Sequence, residues 1–195
     1  VMRQPMEDGQ VTLSRATTTL TYPASFMLAA AMNPCPCGYF GDNSHECNCT
    51  TGVIQRYMSR ISGPLLDRID IHITVPSVKF KELSSDRSGI KSEIIRENIN
   101  RARNVQLKRF ISEPKIYCNS HMQSKDIRKY CLIDEKSNSL LGMAIRKQGL
   151  SARAYDRILK VARTIADLEK SEQIETPHIA EAIHYRSLDR NLWAL

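Results

Sequence analysis

No apolar run in this 195-residue chain approaches the roughly 20 residues that a membrane-spanning helix requires; the longest, Phe26 to Met32, is only strand-sized. No membrane partner is therefore expected. Nor does the start carry a basic segment followed by an apolar one, so a secretory leader is not expected and a cytoplasmic location is. The missing initiator Met suggests a piece cut from a longer chain. Internal repeats and low-complexity tracts are absent, and with 42% hydrophobic and 25% charged residues the chain is neither disordered nor fibrous. Acidic residues are in deficit: 21 Asp plus Glu against 28 Lys plus Arg leave +7, which favours a polyanionic partner without naming one.

What is present falls into two halves. Val11-Thr12-Leu13-Ser14 and Thr19-Leu20-Thr21-Tyr22, rich in Thr and β-branched residues, flank Arg15 to Thr18 and predict a hairpin that Pro23 ends. The apolar run Phe26 to Met32 predicts a buried strand of a parallel sheet, with Asn33 at its C-terminal end because Pro34 bars helical geometry there. Val53 to Ser62 predicts a short helix, and the alternation over Ile69 to Val75, closed by Pro76, predicts a second strand near a sheet edge. Lys79 to Gly89 is poor in apolar residues and marks a domain boundary. From about Ser88 onward the period becomes helical. Ile95, Ile99, Ala102 and Val105 share one face, and Leu140, Leu141, Ala144 and Ile145 form the stripe of a helix over Asp134 to Gln148 that Gly149 stops. Ser151 caps the strongest helix, with Ala154, Ile158, Ala162, Ile165 and Leu168 inward, and Thr176-Pro177 opens the last one.

Six cysteines do not spread like a disulfide scaffold: Cys35, Cys37, Cys47 and Cys49 fall within fifteen residues as C-x-C-x9-C-x-C. Four thiolates on a short polar loop are the makings of a closed, tetrahedral structural zinc site, with iron as an alternative metal, His45 as a possible substitute ligand, and four free thiols as the plainer reading. Cys118 and Cys131 lie apart and read as small packing residues.

Several stretches taken together, Arg3-Gln4-Pro5-Met6-Glu7-Asp8-Gly9, Tyr22-Pro23-Ala24, Ala30 to Tyr39, Gly63-Pro64-Leu65-Leu66-Asp67-Arg68-Ile69-Asp70 and Leu150 to Tyr155, resemble the ComM/YifB family, the magnesium-chelatase-like AAA+ ATPases of bacteria. The resemblance runs along essentially the whole chain. It implies an α/β plus all-α architecture: the later part of an αβα ATPase core with a β-hairpin and a cysteine-rich insertion over 1–80, then a helical lid over 81–195. It also implies a hexameric ring, ATP with Mg²⁺ as cofactors, single-stranded or branched DNA as partner, and DNA branch migration during recombination of incoming DNA. One departure matters. The family's phosphate-binding loop, G-x-x-x-x-G-K-[ST], and its acidic magnesium motif lie upstream and do not occur here, so this chain alone is expected to be unable to hydrolyse ATP.

The resemblance also assigns roles to single residues. Asn33 takes the place of the polar residue that orients attacking water toward the γ-phosphate; an amide can both donate and accept, although an Asn before Pro also simply starts a turn. Arg68 matches the arginine that reaches the neighbouring subunit's γ-phosphate, its alternative being an ion pair with Asp67 or Asp70. Arg153 matches the second sensor, which couples nucleotide to lid position; otherwise it is the start of a solvated basic face with Arg157, Lys160 and Arg163. Arg15, at the hairpin tip, matches a channel-facing residue for DNA backbone, or is a solvated turn arginine. Two other functions remain open: a subunit of a true magnesium chelatase, and a non-enzymatic zinc-dependent nucleic-acid adaptor.

Overall fold

The structure, a computed structural model, describes residues 2–78 and 89–186. These divide into two compact units, one within Val1–Ile69 and one within Asp70–Ser187. The boundary expected between 80 and 81 lies outside the described residues.

The first unit opens with helix α1 (Arg3–Asp8), which ends on Gly9 at φ 63°, a left-handed cap that glycine adopts without steric penalty; its N–H donates to Pro5 O at 3.0 Å. Strands β1 (Gln10–Arg15) and β2 (Thr18–Pro23) then pair antiparallel, from Gln10 opposite Pro23 to Arg15 opposite Thr18. The hairpin lies where the sequence predicts it, each arm longer by one residue at either end. Its faces are unlike. Val11, Leu13, Leu20 and Tyr22 share one face, while on the other Thr12 and Thr21, and Ser14 and Thr19, join hydroxyls at 3.0 Å. Helices α2 (Thr51–Met58) and α3 (Gly63–Leu66) follow, and Ile54 and Met58 of α2 bury against Cys35 in a small core of their own.

The two strands expected over Phe26 to Met32 and Ile69 to Val75 do not form. Neither segment has a ladder, Met27 is 92% exposed, and the apolar members of the alternation, Ile71, Ile73 and Val75, are 50%, 65% and 78% exposed. The reason is cooperative: a strand exists only beside another strand, and the one sheet among the described residues is the two-stranded hairpin. The α/β expectation is thus met only as helices with a small antiparallel sheet.

Among the described residues the regular structure of the second unit is helical: α4 (Ser92–Arg109), a 3₁₀ turn (Asn119–His121), α5 (Ser124–Tyr130), α6 (Glu135–Gln148), α7 (Ala152–Glu169) and α8 (Thr176–His184). Asp134 caps α6 by accepting from Ser137 N at 2.8 Å, Gly149 closes it in left-handed geometry, and Ser151 caps α7 by accepting from Ala154 N at 3.2 Å. Amphipathic α7 is the centre: Ile158, Ala162 and Ile165 bury among Met122, Ile127, Leu141 and Ile179, Ala154 is buried at the start of the same stripe, and Leu168 sits at its exposed edge. Two details differ from the sequence reading. On α4, Ala102 and Gln106 turn inward while Ile95, Ile99 and Val105 stay exposed. On α8 the cap is Glu175 rather than Thr176: its N–H donates to His178 Nδ1 at 2.8 Å, and the Thr176 hydroxyl meets Ser137 Oγ instead.

Asp167, 2% exposed, ties this unit together. Arg109 Nη1 reaches its Oδ2 at 2.8 Å and Arg109 Nη2 its Oδ1; Arg163 Nε donates to Oδ1 at 3.1 Å and Asn119 Nδ2 to Oδ2 at 2.9 Å. Arg163 spends its remaining fork on Glu172 O and Ser171 O at 2.8 and 2.7 Å, which anchors the turn after α7. Asp167→Ala would remove the carboxylate that pairs the buried Arg163 and the part-buried Arg109. It is expected to destabilise the helical unit by about 3–5 kcal/mol, read as a lowered urea midpoint in far-UV circular dichroism of the whole chain.

Candidate functional site: a four-cysteine centre

Downstream of Asn33-Pro34 the chain folds back at Gly38, whose N–H donates to Cys35 O at 3.0 Å with φ 88°, a turn that only glycine takes cheaply. That turn places Cys35 and Cys37 beside Cys47 and Cys49. Sγ of Cys35 lies 3.3 Å from that of Cys37 and 3.7 Å from that of Cys47, and Cys37 lies 3.5 Å from Cys47. All four sulfurs fall within 4.8 Å of one another. Four thiolates around zinc, at about 2.3 Å each, would stand roughly 3.8 Å apart, so the donor set fits a closed tetrahedral ion. Phe40 N–H also points at Cys35 Sγ, 3.4 Å away, a hydrogen bond that would orient a ligating sulfur. His45 is not drawn into the cluster and stacks on Tyr39, ring centroids 4.8 Å apart.

The thiols compete for charge. The Tyr39 N–H, helped by the Cys35 thiol, lowers Cys37 to about 6. At Cys47 the Cys49 backbone pulls the other way, but burial and the neighbouring Cys37 and Cys35 carry the thiol up to about 12. A dication would resolve this conflict by holding all four sulfurs as thiolates around one positive centre, leaving a net charge of −2, and it would release protons on binding. Cys131 behaves differently: burial pushes it up to about 12 in the helical core, where it packs as a small apolar group.

Asn33 is exposed beside the cysteine turn, its Nδ2 3.9 Å from where a β-carbon on Gly38 would stand. Arg68, just past α3, has a side chain only 12% exposed: Nε donates to Glu7 Oε2 at 3.1 Å, Nη2 to the same oxygen, and Nη1 to Pro64 O. Arg68 therefore takes Glu7 as a partner, while Asp70 pairs with Arg157. Arg15 ends β1, exposed on the face that carries Val11 and Leu13, and the turn tip itself is Ala16-Thr17. Arg153 is exposed on the first turn of α7.

The basic face expected beyond Arg153 is not a solvated stripe. Arg157 pairs with Asp70, Lys160 Nζ donates to Ser120 O at 2.9 Å, and Arg163 is 3% exposed in the core. Sequence reading also passed over Glu7, Arg109, Asn119 and Asp167. The i,i+4 spacing of Arg163 and Asp167 was a usable signal; the pairings of Glu7 with Arg68 and Arg109 with Asp167 span 61 and 58 residues and leave no local trace.

Two family models match in succession: residues 1–83 fit magnesium chelatase, subunit ChlI, and residues 89–186 fit the ChlI C-terminal region. The chain belongs to the magnesium-chelatase-like family. Within it, the chain is 42% identical to competence protein ComM of Haemophilus influenzae over 100% of its own length, and 40% identical to YifB of Salmonella typhimurium and of Escherichia coli over 98%. It spans 37% of the length of each of these relatives.

Titrating the reduced, metal-free chain with cobalt(II) is expected to give thiolate-to-metal charge-transfer absorption that saturates near one equivalent and is displaced by zinc. Cys35→Ser should weaken it strongly. Because each thiol must lose its proton to bind, retention should fall as pH drops toward 5. Absence of the band in wild-type protein would show that the cluster does not bind metal.

Proposed function

We propose that this chain is the later part of an ATP-driven DNA-remodelling motor of AAA+ type, which works as a hexameric ring during recombination of incoming DNA. The observation that carries the reading is the 42% identity, over the whole chain, to a protein named for competence. The +7 charge and a hairpin whose side chains are nearly all exposed, with Arg15 at its end, support a polyanionic track. DNA would be gripped through backbone phosphate, without regard to sequence. Such a motor works in the cytoplasm; among the described residues no helix is long and apolar enough to cross a membrane.

In this reading ATP and Mg²⁺ bind on the upstream part of the longer protein, and this chain contributes side chains to them. Asn33 orients the attacking water. Arg68 reaches the γ-phosphate of the adjacent subunit, where a permanently charged planar fork matches the oxygens as charge spreads over them. Arg153 senses the phosphates from the lid. Zinc in the four-cysteine centre is structural, since four protein ligands leave no open position for substrate, and it stiffens the loop that begins two residues after Asn33.

The family models' own description favours a second reading, a magnesium chelatase subunit, whose ATPase would serve metal insertion into a porphyrin. ATP turnover of the full-length protein separates the two: stimulation by single-stranded or forked DNA supports the motor, and stimulation by porphyrin overturns it. A full-length chain with no phosphate-binding loop would instead favour the zinc-dependent adaptor.

Arg68→Ala in the full-length protein is expected to leave nucleotide binding nearly intact and to lower turnover by about 100-fold or more. Mixed rings of Arg68→Ala subunits and phosphate-loop-defective subunits should recover part of the activity, because a finger serves its neighbour's site. Arg15→Ala should weaken DNA binding by a similar factor for every sequence and lower the salt slope by about one per engaged subunit, with basal ATPase retained. Unchanged affinity and stimulation would leave Arg15 as a solvated residue.

A further inference from the structure

We infer that Glu7 is the positioning residue for Arg68, so that the stretch Arg3 to Gly9 serves the γ-phosphate-facing arginine rather than the nucleotide directly. The inference rests on the arginine-finger reading above and deepens it. An arginine that acts on a transition state must already point the right way, because a long side chain with several free torsions spends most of its time elsewhere. Arg68 is held at both ends of its fork. One oxygen of Glu7 accepts from Nε and from Nη2, and the carbonyl of Pro64, four residues back at the start of α3, accepts from Nη1.

Glu7 is itself placed with little freedom. It lies on the last turn of α1, two residues before the left-handed Gly9, and Gly9 O accepts from Ala24 N at 2.7 Å, so the helix end is fastened to the base of the β1–β2 hairpin. Arg68 is fastened too: its N–H donates to Leu65 O at 3.0 Å just beyond α3. Two short helices far apart in sequence thus meet through one carboxylate and one guanidinium. The pair also connects the hairpin that carries Arg15 with Arg68: the backbone runs from β1 through Gly9 into α1, and the Glu7 carboxylate bridges from there to the guanidinium by hydrogen bonds.

A positioning role predicts a kcat effect without a KM effect, and a dependence on acceptor geometry rather than on charge alone. In the full-length protein, Glu7→Ala is expected to lower kcat for ATP by about tenfold or more at unchanged KM and unchanged nucleotide affinity, the latter showing that the variant folds. Glu7→Gln keeps an oxygen where Nε and Nη2 converge and should recover to within about threefold of wild type. The double variant Glu7→Ala with Arg68→Ala should be no slower than Arg68→Ala alone, since the two act through one group. Normal kcat in Glu7→Ala, a rise in KM alone, or a further loss in the double variant would overturn the inference while leaving the finger reading intact. Full turnover in Arg68→Ala would overturn the finger reading and this inference with it.

Discussion

Taking a charge out of water costs several kcal/mol unless a partner and enough hydrogen bonds come with it, and both units of this chain are organised around that constraint. In the helical unit the Asp167 carboxylate draws in Arg109 from α4, Asn119 from the 3₁₀ turn and Arg163 from its own helix. Each is satisfied: Asn119 also bonds Thr164 Oγ1 at 3.0 Å and accepts from Arg109 at 2.9 Å. The network thereby sets the register of α4 and the 3₁₀ turn on α7, which apolar packing alone would leave free to slide. In the first unit the Arg68 guanidinium takes up Glu7, and the same rule operates at smaller scale.

The cysteine loop meets the constraint from the other direction. Its core of Cys35, Ile54 and Met58 is too small to order a polar segment running from residue 35 to residue 49 by burial alone. Four sulfurs within 4.8 Å are unfavourable as separate thiolates and strongly favourable around one dication. The ligand set can therefore supply the order that the core cannot. Asn33, beside the Gly38 turn, would inherit that order, and this links the metal chemistry to the residue proposed to orient water.

Much of the fold was legible in the sequence because the signals were local. The hairpin followed from Thr and β-branched residues around Arg15 to Thr18, and the helices from the period of Ile158, Ala162 and Ile165 and from caps at Asp134, Ser151 and Gly149. The four-cysteine cluster was legible for the same reason, since all its members lie on one short loop. Phe26 to Met32 and Ile69 to Val75 were misread as formed strands because apolar pattern measures fitness for a sheet, whereas the sheet itself depends on neighbours. The cap of α8 was misplaced by one residue because a Glu and His pair can do what Thr-Pro usually signals.

By itself the sequence determined the helices that carry strong caps or a regular apolar stripe, α6 and α7 above all, which cysteines gather, the excess of positive charge and, through its motifs, the family. Each of these depends on residues within a few turns of one another or on composition, so no folding is needed to read it. Only the tertiary structure decided which charges meet. Glu7 reaches Arg68 across 61 residues, Arg109 reaches Asp167 across 58, and the basic run Arg157, Lys160 and Arg163 is divided among an ion pair, a carbonyl and a buried carboxylate. The physical reason is that long-range pairing is set by how helices and hairpins pack, and a charged side chain carries no mark in the sequence of the partner that packing will bring to it.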